Sequence, residues 1–183
     1  MENGDEMENG PDPDLAAELR QGAGMEWAAE AAEDERLTEL GRRRRLSLND
    51  VAKEMVNKGQ RASIEFSGHT FSGAVVWAGE DFATLQGAGQ ICEVRLGAAT
   101  WSVLPVGEPA DTWSMGPESL RAALFEHAES GIVIRLCFPA GEIAIGTVDV
   151  VADDHVEFKD ADGRHLYVAT DRVLAIIRSS EYR

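Results

Sequence analysis

Basic side chains are scarce in this sequence: 17 Lys and Arg stand against 33 Asp and Glu in 183 residues, a formal net charge of −16. An acidic chain is a poor electrostatic partner for phosphate backbones, because nucleic-acid affinity comes largely from the counterions that Lys and Arg release. Cysteine is scarcer still. Cys92 and Cys137 have neither the density of a disulfide framework nor metal-ligand spacing, and both stand in apolar, strand-like runs, which predicts buried free thiols. No run approaches the ~18 apolar residues of a membrane span, and the acidic opening lacks a basic, then apolar, signal pattern. These absences predict a cytoplasmic protein without membrane contact.

What is present is unevenly distributed. Residues 1–41 hold 13 acids and 2 bases, residues 42–60 hold 2 acids and 6 bases, and the remainder holds 18 acids and 9 bases. The stretch "MENGDEMENGPDPD" has almost no apolar side chains to offset the entropy of ordering, which predicts disorder. From Asp14 to Leu40 the composition turns to Ala, Glu and Leu, broken by "QGAG", which predicts a short helix and then a longer one near Met25 to Leu40. The arm, residues 1–46, ends in Arg42, Arg43, Arg44 and Arg45. Those arginines suit phosphate or anionic lipid; pairing with the acids of the arm is the competing use, and it allows a switch in which a partner displaces the arm.

Beyond the arginines, Ser47 with Asp50 resembles a capping box, and Leu48, Val51, Ala52, Met55 and Val56 form an apolar stripe that ends at Gly59. Five β-rich runs follow, separated by turn residues: 62–66, 70–77, 81–86, 91–96 and about 101–104. After a Pro- and Gly-rich linker at 106–116, the same pattern returns. Leu120 to Glu129 repeats the helix, Gly131 repeats Gly59, and "IGTVDVVADDHVEFK" echoes "SGAVVWAGEDFATLQ", with Gly146 on Gly73, Val148 on Val75 and Asp154 on Asp81. The offset grows from 72 to about 74 residues, and each slip falls in a turn, as duplication of a structural unit predicts. The register of the last strand, near Val173 to Ile177 against Thr100 to Leu104, stays open at this level.

A helix and five short strands, with Gly in the middle of the second strand and Asp at the start of the third, resemble the Sm-like fold. The residues that carry the resemblance are "IEFSGHTFSGAVVWAGEDFATLQ" and "EVRLGAATWSVLP", then "IRLCFPAGEIAIGTVDVVADDHVEFK" and "YVATDRVLAII". SH3-like small barrels share much of this pattern. The chain is also similar to a group of actinobacterial proteins, themselves without an assigned activity, that carry an acidic helical N-terminus ahead of a small barrel. The resemblance implies a mainly β protein with short helices (α+β): two tandem Sm-like or SH3-like small barrels, each with an N-terminal helix, at residues 47–105 and 117–183, preceded by the acidic arm. In such barrels Gly73 and Gly146 let a strand bend where a side chain would collide across the closing sheet.

The resemblance further implies an RNA-base site after the third-strand Asp and at an Arg-Gly pair. Here that maps to Asp81, Phe82 and Thr84, with Arg95 and Gly97 separated by Leu96. The second unit offers Asp154, His155 and Glu157 and no Arg-Gly; the family's Asn and its Tyr-Lys-His element are missing. Phe82 is either a stacking platform or a contact with the preceding helix. Trp77 keeps phase with Gly73 and Val75, which predicts a core position. Trp113, in the linker, either pins the two units together or docks a partner; Leu37 and Leu40 are further partner-binding candidates. "RRLS" has the form of a kinase site at Ser47, where helix capping is the competing explanation. Asp153, Asp154 and His155 point in different directions from a turn, so no metal or acid/base site is expected, and "GAGQIC" lies in a hairpin and makes no dinucleotide site. No cofactor and no catalytic residue is expected. The sequence thus predicts a non-enzymatic interaction module with a protein partner, a monomer holding an internal pseudo-dimer or a low-order oligomer. The alternative is RNA or DNA binding through Arg42 to Arg45, Phe82 and Arg95.

Overall fold

The computed structural model describes residues 13–105 and 112–181; the stretch expected to be disordered falls largely outside them, as does much of the linker. The chain divides into two compact units, Met1–Leu46 and Ser47–Arg183. The described part of the first holds one helix, α1 (Pro13–Arg43), which runs without interruption through "QGAG" where two helices are expected. Two glycines cost about 1 kcal/mol each against Ala in a helix, and the flanking Ala, Leu and Glu offset that cost. Among the described residues no helix is long and apolar enough to cross a membrane.

The second unit is mainly β. Helix α2 (Leu48–Asn57) starts on the expected capping box: the Ser47 side chain accepts from the Asp50 N–H, and the Asp50 carboxylate accepts from the Ser47 N–H. Strands β1 (Arg61–Phe66), β2 (His69–Ala78), β3 (Phe82–Gly87), β4 (Gln90–Arg95) and β5 (Thr100–Val103) follow. Helix α3 (Leu120–Ser130), capped by Ser119 and closed by left-handed Gly131, opens the second series. Its strands are β6 (Ile134–Cys137), β7 (Ile143–Val151), β8 (His155–Asp160), β9 (His165–Ala169) and β10 (Ala175–Ser179).

All ten strands form one open antiparallel sheet in the order β5-β1-β2-β3-β4-β10-β6-β7-β8-β9. The order of the first five recurs in the second five, and the halves join where β4 pairs with β10, from Ala175 opposite Val94 to Ser179 opposite Gln90. Even the irregularities recur. A bulge between Val75 and Trp77 in β2 has its counterpart between Val148 and Val150 in β7. The register left open by the sequence is fixed by pairing: Trp101 stands opposite Ile64, and Ile176 opposite Leu136.

Two large cores and a small third one, Ala52, Ala78, Ala83 and Leu96, hold the buried apolar side chains of the described residues. The first holds Met55, Ile64, Phe66, Val75, Leu85, Cys92 and Val94, and it takes in Cys137 and Ala175 from the second half. The second holds Leu120, Leu124, Leu136, Val156, Phe158 and Ile176, and it takes in Phe82 from the first half. The bulge also corrects the placement of Trp77. Because two residues oppose one there, Trp77 loses phase with Val75 and packs, half-buried, against the second core, its indole N–H donating to the Pro117 carbonyl at 2.8 Å.

The mid-strand glycines have the expected steric reason. A Cβ at Gly73 would meet the Gln86 carbonyl, and one at Gly146 would meet the Lys159 carbonyl and the Asp160 backbone. Gly146→Ala is therefore expected to cost about 1–3 kcal/mol by overpacking β7 against β8. Urea unfolding with unchanged m would check this, and a neutral result would mean that the two strands part without cost.

Candidate functional site

A set of polar contacts joins the two halves of the second unit beside the β4–β10 seam. Asp81, in the turn between β2 and β3, accepts from the Leu120 N–H at the start of α3 through Oδ1, at 2.8 Å. Its Oδ2 accepts from Arg95 Nη1, also at 2.8 Å. The remaining arms of that guanidinium donate to the carbonyls of Val173, at 2.9 Å from Nε, and Thr170, at 3.0 Å from Nη2. A planar fork with several donors suits such a clamp on carbonyls and a carboxylate. Arg95, expected at a base, is thus bound to the other repeat.

Phe82 is corrected more sharply. It is fully buried, packed among Leu120, Leu124 and Phe158, so no face is left for a base to stack on, and the helix it meets is α3 of the other repeat instead of the preceding α2. At the equivalent place in the second repeat, His155 is half-exposed and its Nδ1 lies 2.7 Å from Asp154 Oδ1. That hydrogen bond holds the Asp154 carboxyl below the usual carboxylate range. Opposite His155, Ala169 stands where Arg95 stands opposite Phe82.

A buried ionic cluster on the same seam is absent from the sequence-based expectations. Glu93 of β4 meets His127 of α3, Oε2 to Nε2, at 2.6 Å, and Arg178 Nε of β10 lies 3.8 Å from its other oxygen. All three side chains are less than a tenth exposed. Burial, then the nearby Glu93, raises the Glu126 carboxyl above its ordinary value. The signal was available: a lone Glu in the apolar run "ICEVRL" needs a partner if that run is a buried strand.

Beside this cluster, Trp113, Met115, Pro117, Glu126 and Arg178 line an open cleft of about 440 Å³. Trp113 is half-buried, its backbone N–H donating to the Val76 carbonyl at 2.9 Å, so this part of the linker is held against β2 at that point. Gly116 lies so close to the Trp77 indole that a Cβ there would touch the ring.

In the first unit the arginines at the end of α1 turn to their own helix. Arg42 and Arg43 both reach Glu39, at 2.8 and 2.7 Å, and hold its carboxyl down at about 2. Arg44 and Arg45 have no carboxylate partner among the described residues. Leu37 and Leu40 are exposed, as are Met25 and Trp27 on the same helix.

Other candidates do not converge. Asp153 pairs with Arg121 at 3.0 Å while Asp154 turns to His155, and among the described residues no three His, Cys, Asp or Glu side chains gather as a metal site. Cys92 and Cys137 are free and buried, and burial pushes both thiols up, Cys137 to about 11. The Ser47 hydroxyl is occupied by the capping box, 2.6 Å from Asp50 Oδ2. Compared with known proteins, the chain matches no family model and no curated protein.

Proposed function

We propose that this chain is a non-enzymatic interaction module, two Sm-like small barrels paired inside one polypeptide, that binds a protein partner. The recurring strand order, the recurring bulge and the glycines in close backbone contact support the barrel reading. One observation carries the functional reading: the residues that would hold a base, Phe82 and Arg95, are both committed to the contact between the two halves. A side chain buried in a core, and a guanidinium already bound to two carbonyls and a carboxylate, have little left to offer a nucleotide. What is exposed instead is apolar: Met25, Trp27, Leu37 and Leu40 on α1, and Leu48, Val103, Met115 and Tyr167 in the second unit. Exposed apolar side chains of this size suit protein contacts.

The test uses the full chain in two arms. In a gel-shift arm at ~50 mM salt, where electrostatic binding is strongest, no RNA or DNA is expected to shift. In the other arm, immobilised chain is expected to retain a defined protein from native lysate, and Leu37→Glu with Leu40→Glu is expected to weaken that retention. Nucleic-acid binding that falls with salt, drops when Arg42 to Arg45 become Ala, and is accompanied by no retained protein would overturn the reading.

A further inference from the structure

The connection between the two repeats occurs once, so the cleft that its end helps to form has no second copy in the chain. That end, residues 113–118, is held by the first repeat at several points. The Trp113 N–H donates to the Val76 carbonyl at 2.9 Å, the Pro117 carbonyl accepts from the Trp77 indole at 2.8 Å, and Gly116 fits against that indole only because it lacks a Cβ. The Glu80 N–H donates to the Glu118 carbonyl at 2.6 Å, which fixes the chain where it leaves toward α3. The segment is therefore a preformed wall, and little ordering is needed before something enters the cleft beside it.

This wall is largely apolar, and the residues that complete the cleft are ionic. Trp113, Met115 and Pro117 line it together with Glu126 of α3 and Arg178 of β10, around about 440 Å³. Ligand sites occupy about 300–1,000 Å³, so the space suits one long side chain and the backbone that carries it. Met115 is 84% exposed, an unbranched and adaptable side chain open to a visitor. The two charges differ in their surroundings. Arg178 is buried with its Nε 3.8 Å from Glu93 Oε1, so its charge is answered from behind. Glu126 is exposed and makes no hydrogen bond or ion pair among the described residues. Burial first and Glu93 next hold its carboxyl above the ordinary value, Glu129 adds to that, and His127 and Arg178 oppose it only in part. A carboxylate so placed gains from a cation brought to it. Residues 61–183 hold 18 acids and 9 bases, which favours a basic partner at long range as well.

We propose that this cleft receives one arginine of a partner protein, its guanidinium on the Glu126 carboxylate and its aliphatic stem along Trp113, Met115 and Pro117. The planar fork of an arginine pairs with both oxygens of a carboxylate and packs on aromatic surface, while its stem covers apolar side chains. Lysine brings a point charge to the same place and fits it less well. A carboxylate ligand would have to share the cleft with Glu126, and Arg178, its only cation there, already faces Glu93. The proposal rests on the reading of the chain as a protein-binding module and names what its partner presents.

NMR titration of the full, isotope-labelled chain with a short Gly-Ser peptide carrying one central arginine tests it, read at the Trp113 indole signal and the backbone signals of Met115 and Glu126. Those signals are expected to move saturably with the arginine peptide, to need more of the same peptide with lysine, and to stay in place with glutamine or glutamate at the centre. Glu126→Gln, at an exposed position, is expected to weaken the arginine peptide about tenfold with an unchanged thermal melt, the loss of one charge-assisted pair. Met115→Ser is expected to weaken it several-fold. Glu129→Gln removes the same charge one turn along α3 and is expected to have less than about a twofold effect, which separates a seat at Glu126 from general attraction to an acidic surface. No movement with the arginine peptide, a stronger response to the glutamate peptide, or equal weakening by Glu126→Gln and Glu129→Gln would each overturn the proposal. A chain that fails in one of these ways and still retains a protein from lysate loses this site and keeps the broader reading.

Discussion

Phe82→Ala is expected to lower the stability of the chain by about 3–5 kcal/mol, the cost of removing a fully buried aromatic ring from a core that collapses only partly around the void. His155→Ala, at the equivalent place in the second repeat, is expected to change stability by no more than about 0.5 kcal/mol, because that ring is half-exposed, beside the exposed side chains of Asp154 and Tyr167. Denaturant unfolding of the two variants gives the comparison directly, with the shift in midpoint read at constant m. Phe82 shares a core with Leu120 and Phe158 of the other half, so the void opens where the two halves meet. Equal costs for the two variants would mean that Phe82 does not bridge the halves.

Glu93→Ala is expected to cost about as much, 3–5 kcal/mol, for a different reason. The loss of that carboxylate removes the group that His127 meets at 2.6 Å and that Arg178 approaches at 3.8 Å, with all three side chains less than a tenth exposed. Breaking a buried polar cluster by removing its acceptor is one of the few ways for a single substitution to cost several kcal/mol. Replacing the whole group by apolar residues, Glu93→Leu with His127→Leu and Arg178→Met, is expected to be neutral or to stabilise by about 1–4 kcal/mol, since no charge then needs to be desolvated. The pair of measurements separates the two contributions: a costly triple variant would mean that the cluster adds net attraction, and a harmless Glu93→Ala would mean that water reaches it. In the first case the ionic group is also the reason that β4 accepts β10; in the second it is a surface feature.

What was legible in the sequence was local or repeated. The Ser47 cap, Gly131 and the mid-strand glycines Gly73 and Gly146 each depend on a few neighbouring residues, and the structure has them in place. The duplication was legible because insertions collect in turns and leave strand spacing intact. The misplaced residues share one cause. Phe82 and Arg95 take their partners from the other repeat, Phe82 from α3 and Arg95 from the turn before β10, and Glu93, which the sequence reading left unassigned, takes His127 of α3 and Arg178 of β10; no periodicity within β3 or β4 says which distant segment will arrive beside them. Trp77 was assigned to the wrong face because a bulge costs one step of phase without any change in composition. The helix α1 continues through "QGAG" because propagation from both sides outweighs two local penalties, which a residue-by-residue reading counts separately. The candidate site was legible only as a list of residue types; that Arg95 would be occupied by carbonyls depends on a contact between distant segments.

The shared strand also sets the order in which the molecule can be built. Ala175 and Cys137 complete the core that Met55, Ile64 and Leu85 begin, so the first half is translated long before the residues that close it exist. Until β10 arrives, β4 is an open edge with Cys92 and Val94 on one side and Phe82 waiting on the other, the kind of transient surface that pairs with the wrong neighbour in a crowded nascent state. Contacts that span this much sequence make folding slow relative to a protein of local contacts. Because the two halves share that core, they are expected to unfold in one transition and not in two.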